Sequence, residues 1–194
     1  MAKKLNSNIP QRFDWSMLAD VQGQWCGLMF VLLGLAWQLP VMEAVLFMVM
    51  AGILVLIAIY DWRYGLIYDR LVILLFLLGG LPIVCGHIDA VRAGLGALLG
   101  SGLLGALRYL THGGLGLGDV KLAVPLGLWL GWEDIMLCLL LASCLGVGYG
   151  GLLFCQGRIQ RYTPIPFGPF LAIGALLSFA AGNFIRAHLE KWLW

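Results

Sequence analysis

Apolar residues come in long blocks along this chain, broken by short polar turns. Seven blocks can be drawn, at about residues 24–39, 41–60, 71–87, 91–110, 119–132, 135–155 and 167–187. A helix needs roughly 17 to 25 such residues to cross the hydrocarbon of a bilayer, so the first, third and fifth are short. The fifth opens on Asp119 and carries Pro125. It reads as a tilted or partly re-entrant helix, tolerable where protein rather than lipid surrounds it. The expected fold is therefore all-α: a polytopic membrane helix bundle of about seven apolar segments in contact with a lipid bilayer.

Residues 1–24 are polar, with Lys3, Lys4, Arg12, Asp14 and Asp20, and read as a short tail; residues 25–194 read as one transmembrane domain. The first apolar stretch starts near Val21 to Trp25, too far in for an ordinary secretory signal, and is expected to be a retained span. No internal repeat or low-complexity linker divides the chain.

Composition supports lipid as the solvent. Of 194 residues, 61% are hydrophobic and 11% charged, against about 45 to 50% and about 25% in ordinary soluble domains. A net charge of +2 is too small for a nucleic-acid binder that neutralises many phosphates. The cysteines at 26, 85, 138, 144 and 155 form no C-x-x-C pair and lie in apolar stretches, so they read as buried small hydrophobes rather than disulfides or zinc ligands. Glycine occurs 27 times, where about 14 would be usual. Gly96-x-x-x-Gly100 and Gly146-x-x-x-Gly150 have the spacing that lets helices approach closely in lipid.

Charge also gives an orientation. With the N-terminal tail in the cytoplasm, that side receives Lys3, Lys4, Arg12, Arg63, Arg70, Arg108, Lys121, Arg158 and Arg161, and the other only Arg92, Arg186 and Lys191. Nine against three satisfies the positive-inside rule and puts the loops at 61–70, 111–121 and 156–166 in the cytoplasm.

Ten acids are present, and most, including Asp69, Asp89, Glu133 and Asp134, fall in turns and read as solvated charges. Asp61 and Asp119 differ. Asp61 follows the nearly unbroken apolar run from Val41 to Tyr60, and Asp119 begins the short fifth block. Each lies near the edge of the hydrocarbon, where a charge is costly unless it is paired or serves a function. By the charge count both are on the cytoplasmic side. Hydrolysing an amide needs a base to take a proton from water and an acid to protonate the carbonyl oxygen and the leaving nitrogen. Two neighbouring carboxylates supply both, since like charges in contact do not readily ionise together. Gly113, Gly114, Gly116 and Gly118 clear side chains from the approach to Asp119, though a flexible loop before a helix capped by Asp119 has the same composition. His87, His112 and His188 fall at separate places, which disfavours a Ser-His-Asp triad and a metal centre. On the residues alone, a paired-acid enzyme and an intramembrane ion pathway both remain open.

Three motifs carry a resemblance: Asp61-Trp62-Arg63-Tyr64-Gly65-Leu66-Ile67-Tyr68-Asp69, Gly116-x-Gly118-Asp119-x-Lys121, and Ile165-Pro166-Phe167-Gly168-Pro169-Phe170-Leu171. In this order they resemble the prepilin peptidases, a family of G-x-G-D intramembrane aspartic proteases, over about residues 41–187. The resemblance implies that Asp61 and Asp119 are the catalytic pair. It implies that Gly116, Gly118, Lys121, Pro166, Gly168 and Pro169 shape the site or meet the peptide, Lys121 also serving as a charge anchor. No metal or cofactor is implied. The expected substrate is a type IV prepilin or secretion pseudopilin precursor, with a basic cytoplasmic leader and an apolar helix, and the expected location is the bacterial inner membrane. Tyr68 stands where the family usually has proline. Many bifunctional members carry an N-terminal cytoplasmic insertion with paired C-x-x-C motifs, associated with methylating the new pilin terminus. The polar tail here has no cysteine, so the expectation is a peptidase without methyltransferase activity. A small proton-coupled transporter and an inactive assembly factor are the competing readings; the absence of repeated halves disfavours the first and the intact acids the second.

Overall fold

The structure, a computed structural model, describes residues 40–157 and 165–193, and from residue 181 onward the backbone only. The tail at 1–24, the apolar segment at 24–39, Cys26, Arg158 and Arg161 lie outside the described residues, as do the side chains of Arg186, His188 and Lys191. The described residues are helical with short connections and no strand: α1 (Val41–Tyr64), α2 (Asp69–Leu78), α3 (Leu81–Val84), α4 (Ala90–Leu110), α5 (Leu117–Cys155) and α6 (Gly168–Leu193). By length and composition α1, α4 and α5 can each cross a membrane.

The third apolar block does not form one rod. Gly79 and Gly80 interrupt it between α2 and α3, and a Cβ on Gly79 would stand 3.1 Å from Leu128 Cβ, so this glycine lets the break sit tightly against α5. The indole of Trp129, fully buried, donates to the Leu75 carbonyl at 2.9 Å. That carbonyl belongs to the last turn of α2, where intrahelical donors run out.

α5 holds both the fifth and the sixth blocks, because its helical run is broken only at Gly131 (φ 79, ψ 176). The break reverses the chain. A Cβ on Gly100 would touch both Ala123 and Ile135, twelve positions apart on either side of Gly131 and so roughly 18 Å apart in a straight helix. Only glycine adopts this backbone conformation readily. The first arm, residues 117–130, is roughly 21 Å long at 1.5 Å per residue, less than the hydrocarbon core. It survives because protein encloses it: Leu122, Ala123, Leu126 and Trp129 are fully buried.

The same buried core takes Phe47, Met50, Leu54 and Ile57 from α1, at helical spacing, and Leu171 and Ala175 from α6, which packs on the second arm of α5 at Cys138 and Ala142. Lipid is as apolar as leucine, so close packing rather than water exclusion must hold such helices together. α4 and α5 meet backbone to backbone: a Cβ on Gly96 would be 2.5 Å from the Gly127 carbonyl oxygen, and one on Gly127 would be 2.2 Å from the Ala97 nitrogen. The Gly146/Gly150 pair serves differently. It leaves room for Phe167 and Ile165, on the segment leading into α6.

Two expectations need correction. Asp134 is not a solvated turn charge; it is buried in the helix that resumes after Gly131, because the chain continues as helix there instead of opening into a solvated turn. Of the four described cysteines only Cys138 is buried, while Cys85, Cys144 and Cys155 face outward.

Candidate active site

One end of the bundle gathers the three motifs. α1 carries Asp61 in its last turn and ends at Gly65, whose left-handed conformation (φ 62) turns the chain into an extended stretch, residues 66–68, leading to α2. Tyr68 occupies the proline position of the family motif with φ −72, near the value proline would impose. Its ring packs edge-on against Tyr60, 4.9 Å between centroids, so a contact takes the place of a rigid ring. α5 starts at Leu117 with Gly116 as its cap residue, which puts Asp119 at the third helical position rather than at the cap.

Both carboxylates are enclosed, Asp61 being 5% exposed and Asp119 6%. The Gly168 N–H, at the start of α6, donates to Asp61 Oδ2 at 2.8 Å. A helix N-terminus offers such an unpaired donor and a favourable dipole for an anion. Asp119 accepts a backbone hydrogen bond from Gly116, reaching back to the residue that caps its own helix. Its Oδ1 is buried and accepts no hydrogen bond among the described residues. Although 58 positions separate them in sequence, the two carboxylates lie within electrostatic reach of each other.

The glycines of the site are there for proximity. A Cβ on Gly168 would stand 2.6 Å from Asp61 Oδ2, and one on Gly116 would stand 2.8 Å from Asp119 Oδ2. A Cβ on Gly118 would be 3.0 Å from Ile67 Cβ, so this glycine seats the stretch after α1 against α5. Pro166 and Pro169 are half-buried on either side of Gly168 and shape the start of α6. Lys121 does not reach either catalytic candidate; its Nζ lies 2.9 and 3.0 Å from the two oxygens of Asp69.

Several contacts have no local signature in the sequence. Asp69, which reads as a turn charge, holds Lys121. Arg108 donates to the Leu115 carbonyl and so ties the glycine-rich loop to the end of α4. Trp62, Tyr149 and Phe170 form a chain of ring contacts, 5.5 and 5.7 Å between centroids, beside Asp61. The opposite charges of Asp69 and Lys121, on loops assigned to one side, are a signal that could have suggested the first of these.

A family model describing the type IV leader peptidases matches residues 48–151, more than half of the chain and including both acids. The chain belongs to the type IV leader peptidase family. Among curated relatives, a prepilin leader peptidase/N-methyltransferase of Bacillus subtilis strain 168 is 30% identical over 155 residues, 79% of this chain and 61% of the relative. Proteins of the same name from Escherichia coli K12 and Aeromonas hydrophila are 35% and 36% identical, over 72% and 75% of this chain. The chain spans 64% and 53% of the length of those two relatives. No solved structure matches it. Membership in this family accounts for the order of the motifs, and the fold accounts for their meeting at one end.

Proposed function

We propose that the chain is a membrane-embedded aspartic endopeptidase that removes the basic leader from type IV prepilin or pseudopilin precursors, at the cytoplasmic face of the bacterial inner membrane. The observation that carries this reading is the convergence of Asp61 and Asp119. Both are enclosed, both are held by backbone N–H groups, and neither is paired with a cation among the described residues. The names of the relatives support the substrate class.

In the proposed reaction a water molecule lies between the two side chains. One carboxylate takes a proton as the water oxygen attacks the scissile carbonyl carbon, while the other, protonated, donates to the carbonyl oxygen. The tetrahedral species then collapses, the C–N bond breaks, and a proton passes to the leaving nitrogen. The aspartates are regenerated with one proton between them. Lys121, Gly116, Gly118, Pro166, Gly168 and Pro169 shape the surroundings in this reading. These 194 residues contain no C-x-x-C pair, and the proposal covers leader removal without methyl transfer.

Co-expression with candidate pilin precursors tests it. Wild type should give a leader-sized mobility shift, and Asp61→Asn and Asp119→Asn should each abolish it while the protein remains in the membrane. Substantial processing by either variant overturns the two-aspartate mechanism. Transfer of methyl from S-adenosylmethionine to the cleaved pilin would overturn the restriction to peptidase activity.

A further inference from the structure

We propose that Asp69 and Lys121 act together as a positioning pair, setting the rotation of the first turn of α5, which carries Asp119, against the segment that carries Asp61. The inference rests on the peptidase reading above.

The geometry comes from helical periodicity. Gly118 and Lys121 are three positions apart at the start of α5 and share a face of the helix, whereas Asp119 and Lys121, two apart, point in different directions. The shared face docks on the stretch that follows α1. Gly118 comes so close to Ile67 that a Cβ would stand 3.0 Å away, and two residues beyond Ile67 and three beyond Gly118, Lys121 Nζ bonds both oxygens of Asp69. The docked stretch begins at Gly65, directly after the helical turn holding Asp61. The chain therefore makes a short closed circuit from Asp61 to Asp69, across the ion pair to Lys121, and back to Asp119.

The Gly116 N–H holds Asp119 from within the same first turn, and among the described residues Oδ1 accepts no hydrogen bond, so nothing in these contacts sets how that turn is rotated. Gly113, Gly114, Gly116 and Gly118 carry no side chains to stiffen the approach. A twist of this first turn about the helix axis swings Lys121 off Asp69 and Asp119 away from Asp61 together. Both members of the pair are more than half exposed. An exposed ion pair adds little to folding, but a small displacement of a catalytic group costs a large factor in rate. The pair thus affects turnover more than stability. It also keeps the ammonium of Lys121 occupied at a distance from the carboxylates.

Kinetics on the full chain in proteoliposomes, with a precursor that wild type processes, test the pair. Asp69→Asn and Lys121→Met should each lower kcat about tenfold, with KM within about twofold. The double variant should be no worse than the poorer single one, and Lys121→Arg should recover most of the loss. Unchanged kcat, additive losses, or a change in KM alone overturns the proposal, the last because it marks Lys121 as a peptide contact. Loss of membrane insertion in Lys121→Met but not in Asp69→Asn overturns it in favour of a charge anchor.

A second measurement needs no activity. Ile67→Cys combined with Gly118→Cys should form a disulfide, read by mass spectrometry of the linked peptides, and adding Asp69→Asn or Lys121→Met should lower its yield severalfold. An unchanged yield overturns the pair even where the enzyme is active. Failure of the peptidase reading looks different: wild type cleaves no precursor, while the cross-link still reports on the pair.

Discussion

The two ends of the bundle treat their acidic residues in opposite ways. At the end opposite Asp61, acids meet cations. Glu43 Oε1 lies 3.6 Å from His87 Nδ1, an ion pair when the imidazole is protonated. Arg92 stands 3.7 Å from Asp89 and 4.0 Å from Glu133. His87, Asp89, Arg92 and Glu133 line a polar recess of about 180 Å³ together with Trp132 and the buried Asp134. At the Asp61 end, the two most enclosed carboxylates are held by backbone N–H groups, and the cation in the second motif is engaged by a third acid, Asp69. Backbone donors fix a carboxylate in place without an ammonium or guanidinium to lock its charge. The contrast separates acids that close a structure from the two to which the proposed mechanism assigns proton transfer.

The largest effect should come from removing that role. In the proposed mechanism each aspartate moves protons in the rate-determining chemistry, a contribution of about 10²- to 10⁴-fold. Asp61→Asn is isosteric and keeps an acceptor for the Gly168 N–H, so it should lower processing by at least about 10²-fold while the protein stays folded. Glu43→Gln, the matching change at the other end, should leave the rate within about threefold, since its partner His87 is also stacked on Phe179 and keeps a contact. Comparable losses at both ends, measured in the same membranes, would erase the distinction.

The next effect is steric. Gly168→Ala puts a methyl group where Asp61 Oδ2 lies within 2.6 Å, so the carboxylate must shift or the start of α6 must back away. A displacement of this order should cost about 10²-fold in kcat with little change in KM. Gly146→Ala is the control: its new Cβ would meet Phe167 at 3.5 Å, an ordinary contact, and activity should persist. Equal activity in the two variants would show that the Asp61 carboxylate has no fixed position to lose.

These two glycines also show which parts of the molecule were legible in the sequence. The blocks of apolar residues reveal helices because lipid demands length, and Asp61 and Asp119 stand out because each lies at the end of such a block, near the edge of the hydrocarbon. Gly168 is visible as part of a motif, but its N–H bond to Asp61 joins residues 107 apart and leaves no local pattern. The same holds for Lys121 and Asp69. Asp134 misleads for another reason: beside Glu133 it has the composition of an exposed turn, yet it is buried three residues after the reversal at Gly131. Gly131 itself is one glycine among 27, and sequence does not show which of them needs a positive φ. Tertiary contact, rather than local preference, decides each of these cases.

Between the two ends lies the α4–α5 contact, and loosening it should disturb both equally. Gly127→Ala places a methyl 2.2 Å from the Ala97 nitrogen and 2.3 Å from the Gly96 carbonyl oxygen, all backbone atoms that cannot swing aside. Overpacking of this kind costs about 1 to 3 kcal/mol. The midpoint of thermal unfolding in detergent should fall by several degrees, while the rate per folded molecule changes less than with Gly168→Ala. Gly94→Ala, on α4 but facing open space, should leave the midpoint unchanged. A selective loss of catalysis without loss of stability would mean that the arm carrying Asp119 moves independently of its packing.

Arg92→Gln should have the smallest effect. Arg92 touches two acids, but its side chain is 56% exposed and the contacts are long, 3.7 and 4.0 Å, so water and salt screen the attraction. Such pairs contribute at most about 1 kcal/mol. The hairpin at Gly131 is secured instead by backbone approach and by Ile88, whose Cδ1 would lie 2.5 Å from a Cβ on that glycine. Removing the guanidinium should therefore lower the thermal midpoint slightly at low ionic strength, leave it unchanged at high salt, and keep processing within about twofold. A tenfold loss of processing with an unchanged midpoint would tie the distal recess to the aspartates, and the division between structural and reactive ends would no longer hold.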